Sequence, residues 1–445
     1  MLVKDEKTIR IRYASKRARQ ADGRIRLLPA SQKIYPAQRV VKCYSETGTY
    51  RRLPVIKMHR SLCTKGRSKP EKRQRPGFPL RFADPDQNPD RNYTAHNILK
   101  GKTYMYIANP DRYKHMEYRR CGNSGLLLPT LSLGLWQNFS DHSSYENMKK
   151  MILTAFDHGI THFDLANNYG PEPGAAEKYF GRILKEELMP YRDELIISTK
   201  AGYEMWDGPY GNWGSRKYLL ASLDQSLARM GLNYVDIFYH HRMDPNTPLE
   251  ETMGALAQAV RAGKALYAGL SNYDGETLKK ACAILDELKV PYVINQNRYS
   301  ILDRTVETNG ALAASNELNK GMITFSPLAK GQLTDRYLNG IPADSRIRTD
   351  GRFLHESDLP EAKVEKLREL NELAKKKGCE LSALALRWLL DKEGVTSVLI
   401  GASKPEQILK NLKALETPSL TPEEMEQVDK IAAEIHAIEK QNQSK

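Results

Sequence analysis

Three polar side chains close short apolar runs in this sequence, a tyrosine follows the first of them, and the four types suit the transfer of a proton to a carbonyl oxygen. Asp164 ends the run 160–165 and is followed closely by Tyr169, Lys200 ends 195–200, and His241 ends 235–241. Reducing a carbonyl needs a hydride donor, a proton donor and stabilisation of the developing alkoxide. A tyrosine phenol, ordinarily titrating at about 10, becomes a stronger acid when a nearby ammonium favours its phenolate. Lys200 could supply that ammonium, Asp164 could hold it charged and in place, and His241 could orient the substrate oxygen. Taken singly, each has a plainer reading: an Asp at a strand end caps a loop, and a Lys there snorkels. The four together at one end of consecutive runs are a stronger signal than any one alone.

The elements that must hold them are legible in the hydrophobic pattern. Apolar, β-branched runs occur at 131–136, 160–165, 195–200, 235–241, 266–272, 292–296, 322–326 and 397–400. Amphipathic helices are expected between them, among others at 145–158, 215–230, 249–262, 276–288 and 361–377. Ser215 and Gly231 have the residue types preferred at the two ends of such a helix. Strand–helix alternation argues a parallel sheet, and eight such units argue a closed (β/α)8 TIM barrel, an α/β fold. No GxGxxG follows any run, which counts against an open dinucleotide-binding sheet. Residues 116–128, with Gly122-Asn123-Ser124-Gly125 at the centre, read as a β-hairpin plugging the barrel bottom. In a barrel of this kind chemistry sits at the C-terminal ends of the strands, where the four side chains fall.

Composition bounds the rest. The chain has 445 residues, 40% of them hydrophobic, and a formal net charge of +14. Residues 1–104 hold 26 Lys and Arg against 8 Asp and Glu, so the remaining 42 basic and 46 acidic residues balance near −4. The basicity thus belongs to a leader, 1–104, whose Pro-, Arg- and Ser-rich stretches bury too little apolar surface to fold. That leader reads as disordered, or as an over-extension ahead of Met105. A nucleic-acid tail lacks interleaved aromatics, and a transit peptide is opposed by Asp5 and Glu6. No apolar run is long enough to span a membrane, and no signal-peptide core is present. The five scattered cysteines (Cys43, Cys63, Cys121, Cys282, Cys379) lack metal spacing and read as reduced thiols in a cytoplasmic protein.

The runs around the four residues resemble the aldo-keto reductases. The likeness lies in 164–170, 198–202, Pro209-Tyr210-Gly211, 244–251 and 397–403, and it extends over 105–445. Within the family it is nearest to bacterial L-glyceraldehyde 3-phosphate reductases, with potassium-channel β-subunits related. The resemblance implies a catalytic tetrad of Asp164, Tyr169, Lys200 and His241, with the adjacent His240 pointing elsewhere. It implies NADPH as cofactor, a small and possibly phosphorylated aldehyde such as L-glyceraldehyde 3-phosphate or methylglyoxal as substrate, and a homo-oligomer, tetrameric or larger.

For the cofactor, Ser271, Asn272 and Gln296 offer groups suited to a carboxamide, and Phe325 stands where the family stacks an aromatic on the nicotinamide. Trp136, Ser326 and Leu328 belong to the same expected lining. Gly331, with Gln332 and Leu333, could turn backbone N–H groups toward a pyrophosphate. Gly401 and Ser403 precede a helix whose start suits phosphate, with Ser403 and Glu406 at capping-box spacing. Arg336 and Arg346 resemble the grips on an adenosine 2′-phosphate, and Gln407 and Asn411 resemble adenine contacts. Lys410 departs from the family, where an acidic residue usually stands. The substrate mouth is expected to be lined by Trp136, Tyr169, Tyr203, Trp206, Tyr210, His241 and Arg242.

The competing reading is an NADPH-binding regulatory subunit of the channel β-subunit type. His241 counts against it, because those subunits usually lack a histidine there. The leader also lacks the apolar start that a pore-blocking peptide would want. A nucleic-acid binder rests on the leader alone.

Overall fold

The computed structural model describes residues 106–443 and, separately, the antiparallel pair Val3–Asp5 and Thr8–Arg10. The expectation of a disordered or non-native leader, like Cys43, Cys63 and Met105, otherwise lies outside the described residues. The barrel and its site belong to the unit His96–Lys445.

Eight parallel strands close into a barrel. They are β1 (Leu131–Gly134), β2 (His162–Asp164), β3 (Ile196–Ala201), β4 (Val235–His240), β5 (Ala265–Ser271), β6 (Tyr292–Arg298), β7 (Gly321–Phe325) and β8 (Val395–Ile400). Their hydrogen-bonded order follows the chain and returns from β8 to β1. Each strand core falls where the apolar runs place it.

Alternation along the strands sorts side chains to the two faces of the wall. Phe163 and Phe238 face outward into the main core between wall and helices. Ile237, Ile294, Ile323 and Leu399 face inward and form a second cluster. The expected hairpin, Tyr118–Arg120 paired with Leu127–Pro129, closes this inner cluster from below with Cys121, Leu126 and Leu128. Its turn demands glycine. Gly122 has φ +55, and a Cβ there would lie 2.2 Å from the carbonyl oxygen of Asn319.

The outer helices follow the amphipathic pattern. They begin with α1 (Tyr145–Asp157), α2 (Ala175–Ile183), α3 (Arg216–Met230), α4 (Leu249–Arg261) and α5 (Gly275–Glu287). Ser215 caps α3 by accepting from Tyr218 N, and Gly231 ends it in the left-handed conformation, as its sequence indicates. The short α6 (Ala311–Glu317) precedes β7, and the long excursion before β8 carries α7 (Glu361–Lys376) and α8 (Leu381–Leu390). All of α8 is buried except Arg387, so its sequence shows little of the polar–apolar alternation that marks a surface helix. After β8 come α9 (Pro405–Leu412) and α10 (Pro422–Gln443).

Helices α2 and α3 meet at very close range. A Cβ on Gly181 would sit 2.5 Å from Met230 Cα, which is backbone and cannot swing aside. Gly181→Ala is therefore expected to cost about 1–3 kcal/mol despite the better helix propensity of alanine. Urea unfolding checks this, and a stabilised variant would mean the two helices separate freely.

Candidate active site

The four polar side chains meet inside the upper end of the barrel: strand alternation aims Asp164, Lys200 and His241 inward, and the loop after β2 brings Tyr169 to them. Asp164 closes β2, Lys200 lies near the end of β3, and His241 follows β4 directly. Tyr169 lies on the loop between β2 and α2. Lys200 and Asp164 are fully buried and form an ion pair at 2.5 Å. Lys200 Nζ donates to Asp164 Oδ2, to the Leu165 carbonyl at 2.7 Å and to the Tyr169 hydroxyl oxygen at 3.2 Å. An ammonium has three N–H groups, and all three are thereby used. Because the phenol oxygen accepts from Lys200, the phenolic proton is free for another acceptor.

Asp164 is held from its other oxygen. Oδ1 accepts from Ser198 Oγ at 2.7 Å and from Gln296 Nε2 at 3.1 Å. The ring of His241 stands 5.8 Å from that of Tyr169 and 4.6 Å, edge to face, from Tyr203. His240 turns to the opposite side of the wall, where its Nδ1 hydrogen-bonds the Tyr273 hydroxyl at 2.7 Å. The two neighbours separate as alternation requires.

Burial sets the protonation. It pushes the Tyr169 phenol well above its ordinary value, reinforced by the Asp164 charge and by Tyr203. This reverses the direction expected from an ammonium neighbour. Desolvation of a phenolate outweighs one lysine that already serves two other acceptors, so Tyr169 stands loaded with its proton. Burial also lowers Lys200 against the opposing pull of Asp164. His241 is held well below 6.5 by burial and then by Lys200, so its imidazole is neutral.

Aromatic rings and one cation line the mouth. Trp136 is 43% exposed and touches Tyr169 on one side and Phe353 on the other. The Arg242 guanidinium lies between Tyr203 at 4.2 Å and Trp213 at 3.6 Å. It is steadied there by the Gly202 carbonyl and Asn212 Oδ1. Trp206 packs on Tyr218. Tyr210 is more than half exposed, with Lys217 over its ring and no ring contact to the tetrad. Phe353 and Trp213 were not foreseen, since loop residues carry no periodicity to mark them.

The residues expected to hold a dinucleotide differ in how far their groups remain available. Ser271 and Asn272 follow one another at the end of β5. The Asn272 amide nitrogen is engaged by the His241 carbonyl and Ser271 Oγ. Phe325 ends β7 and packs against the inner cluster, so it faces into the barrel. Beyond it Ser326, Ala329, Lys330 and Gly331 all have positive φ. That turn consumes the backbone donors expected to face a pyrophosphate: the N–H groups of Gly331 and Leu333 go to the Leu328 carbonyl and that of Gln332 to Ala329. The side chains of Leu328 and Leu333 pack on the core instead.

The capping box at Ser403 and Glu406 does not form. Pro405 occupies the first helical position, so Lys404 is the N-cap of α9, and Gln407 Oε1 reaches back to the Ser403 N–H and hydroxyl. Arg336 pairs with the exposed Asp344, and Asn411 is buried in α9. The side chain of Arg346 lies outside the described residues. Lys410 is bound by Glu380 at 2.5 Å and Asp335 at 3.5 Å, which neutralises its departure from the expected acid. Two features fit a bound dinucleotide. Gln332 Oε1 is buried with no protein partner, and Gly401 faces open space. Among the described residues no cluster of His, Cys, Asp and Glu could hold a metal, and no helix is long and apolar enough to cross a membrane.

Residues 130–433 match the model of the aldo/keto reductase family. The chain belongs to that family. It is therefore an oxidoreductase on a (β/α)8 barrel, of a family that uses NADH or NADPH on small aldehydes. It is 55% identical to an L-glyceraldehyde 3-phosphate reductase of Escherichia coli O157:H7 over 74% of this chain and 96% of that protein. The same protein of Escherichia coli K12 matches equally, at 55%. A probable voltage-gated potassium channel subunit beta of Oryza sativa subsp. japonica is 34% identical over 74% of this chain and 99% of its own length. A crystal structure of a thermostable aldo-keto reductase with the inhibitor epalrestat superposes at TM-score 0.56, with 31% identity, over 71% of this chain and 100% of the other.

Three side chains around the tetrad escaped sequence reading although a signal existed. Glu177 on α2 is fully buried, bound to Thr199 Oγ1 at 2.5 Å and Arg229 Nε at 2.7 Å. It sits among Ala175, Ala176 and Phe180 on the apolar face of its helix. Ser198 and His162 each lie two residues before a tetrad member on the same strand, a spacing that aims them into the barrel too.

Buried neutral histidines make stability depend on pH. His162 is pushed down to about 4 and His240 to about 3, burial being the main cause in both. The unfolded chain binds these protons near pH 6.5 and the folded chain does not. Their stability is therefore complete above about pH 6.5 and is lost as pH falls toward the folded values. Each is expected to cost on the order of 2 kcal/mol between pH 7 and 5. Denaturant midpoints across that range check the slope, and a flat profile would mean these rings are hydrated.

Proposed function

We propose that this chain reduces small polar aldehydes to alcohols with NADPH, Tyr169 giving the proton. One observation carries the reading: Lys200 Nζ contacts Asp164 and the Tyr169 hydroxyl oxygen at once, beside His241 at the barrel mouth. NADPH would supply the hydride, held by Ser271, Asn272, Gln296, Phe325, Ser326, Arg336, Gly401, Ser403, Gln407 and Asn411, with Arg336 as the residue for a 2′-phosphate.

The protein's own groups account for the proton and its acceptor. A neutral His241 donates one hydrogen bond to the substrate oxygen and orients it toward Tyr169. The Tyr169 proton, left free because its oxygen accepts from Lys200, passes to that oxygen as negative charge develops there. Lys200 then faces a phenolate, which its charge stabilises. Arg242, framed by Tyr203 and Trp213, is the cation best suited to a substrate phosphate. With the names of the Escherichia coli relatives, this favours L-glyceraldehyde 3-phosphate, with methylglyoxal as a second candidate. A cytoplasmic homo-oligomer is the matching setting. A purely regulatory, cofactor-sensing role is disfavoured by the complete tetrad.

Oxidation of NADPH by the purified protein against a panel of short aldehydes tests the reading. Tyr169→Phe should retain NADPH binding and lose about 10²-fold or more in turnover, the scale of a lost general acid. His241→Ala should cost far more activity than His240→Ala. A Tyr169→Phe variant with most of its rate intact would remove the phenol from the mechanism.

Arg336→Ala should weaken NADPH by about 1–3 kcal/mol while leaving NADH binding nearly unchanged. Fluorescence titration with each nucleotide measures this. Equal losses for both would mean Arg336 does not meet the 2′-phosphate.

A further inference from the structure

Directly beneath the tetrad the barrel interior holds polar side chains that the reaction described above does not use. His162 of β2 is fully buried, with Nε2 3.0 Å from Ser198 Oγ and Nδ1 2.9 Å from Ser132 Oγ. Ser198 Oγ donates to Asp164 Oδ1 at 2.7 Å. On the other side Ser132 Oγ lies 2.7 Å from Ser397 Oγ, and Ser397 donates to the Pro129 carbonyl at 2.6 Å. All four side chains between the two ends are fully buried, so no bulk solvent completes the network.

The protons of this network do not match its acceptors. It contains five hydrogen bonds, and its two ends, an ionised Asp164 and the Pro129 carbonyl, can only accept. Three serine hydroxyls and one neutral imidazole supply four protons. The network is one proton short, and the tautomer of His162 decides where the shortage falls. With the proton on Nε2, His162 donates to Ser198, and Ser198 gives its own proton to Asp164. The deficit then falls on the far side, where Ser132 has one proton for both His162 Nδ1 and Ser397. With the proton on Nδ1, Nε2 is a lone pair facing Ser198, and Ser198 must choose between His162 and Asp164. A carboxylate is the stronger acceptor, so Ser198 still serves Asp164, but the Nε2 lone pair then faces the Ser198 oxygen without a proton, and the link lost is the one that feeds the charged end of the network.

We propose that His162 is a positioning residue for the reductase reaction, held as the Nε2–H tautomer so that it donates to Ser198 while Ser198 donates to Asp164, an unbroken chain that fixes the carboxylate carrying Lys200. The charged groups bearing on His162 are Asp164 and Lys200, which act in opposite directions, and burial keeps the ring neutral. The imidazole touches neither the phenol nor the mouth; it acts through Ser198 and Asp164. The inference rests on the reductase reading for its kinetic consequence and on hydrogen-bond geometry alone for the tautomer.

Two measurements separate those parts. Selective ¹⁵N labelling of histidine reads the tautomer directly in the full chain at neutral pH, the His162 resonances being assigned from their loss in His162→Leu. The wild-type protein should carry its proton on Nε2. Ser198→Ala removes the acceptor for Nε2–H, and the remaining links from His162 through Ser132 and Ser397 to Pro129 are then complete with the proton on Nδ1. The tautomer should therefore switch in that variant. The same tautomer in both proteins, or Nδ1–H in the wild type, would overturn the proposal even if the enzyme reduces aldehydes.

Kinetically, Ser198→Ala should lower kcat about tenfold with little change in the KM for aldehyde, the scale of one hydrogen bond to a charged group. Ser198→Thr, which restores the hydroxyl, should recover most of the loss and the Nε2–H tautomer. An unchanged kcat in Ser198→Ala would show that Asp164 needs no support from below. Absence of reductase activity in the wild type would refute the functional reading and leave the tautomer measurable.

Discussion

A lysine and an aspartate with no access to water form the centre of this molecule. Removing two charges from solvent is costly, and their attraction offsets that cost only when every remaining donor and acceptor is satisfied. Around Lys200 and Asp164 this condition is met. The ammonium spends its three N–H groups on Asp164, Leu165 and Tyr169, while the carboxylate takes Ser198 and Gln296 on its second oxygen. Those partners come from β2, β3, β6 and the loop after β2, so a register error in any one of these strands would leave a buried charge unmatched. The pair thereby fixes strand register and the position of the phenol together.

That constraint divides the barrel interior into an apolar part and a polar part. Apolar side chains and the hairpin fill the first, where nothing charged must be held. Beside them lies the hydroxyl–imidazole group of Ser132, His162, Ser198 and Ser397, with the ion pair one inward position farther along β2 and β3. The outer face of the same strands serves a different purpose. Thr199 points outward to the buried Glu177 and its partner Arg229, and so ties α2 and α3 to β3 next to Lys200. One residue of displacement along β3 would turn Lys200 outward and Thr199 inward, breaking both arrangements.

Much of this was legible in the sequence, for an identifiable reason. Strand periodicity is rigid, so a polar residue at the end of an apolar run can be assigned to a face. Asp164, Lys200 and the choice of His241 over His240 all agree with that rule, and Ser198 and His162 were within its reach. Loops obey no such rule. The left-handed turn from Ser326 to Gly331 uses the backbone donors expected to face a ligand, and no pattern in the sequence announces it. At Ser403 a spacing that resembles a capping box was overridden by Pro405, whose fixed φ begins the helix after Lys404. The protonation of Tyr169 needed the fold itself, because the extent of burial, and not the identity of the neighbour, sets its direction.

The charge of Asp164 is therefore the point at which the site is most directly tested. Asp164→Asn keeps the shape of the side chain and removes the anion that holds Lys200. Single-turnover reduction of L-glyceraldehyde 3-phosphate by the variant, preloaded with saturating NADPH, isolates the chemical step from cofactor binding. The rate of that step should fall by about two orders of magnitude or more, since Lys200 loses the charge that keeps it against the phenol. A folded Asp164→Asn protein that reduces the aldehyde at the wild-type rate would contradict the claim that this buried pair organises the site.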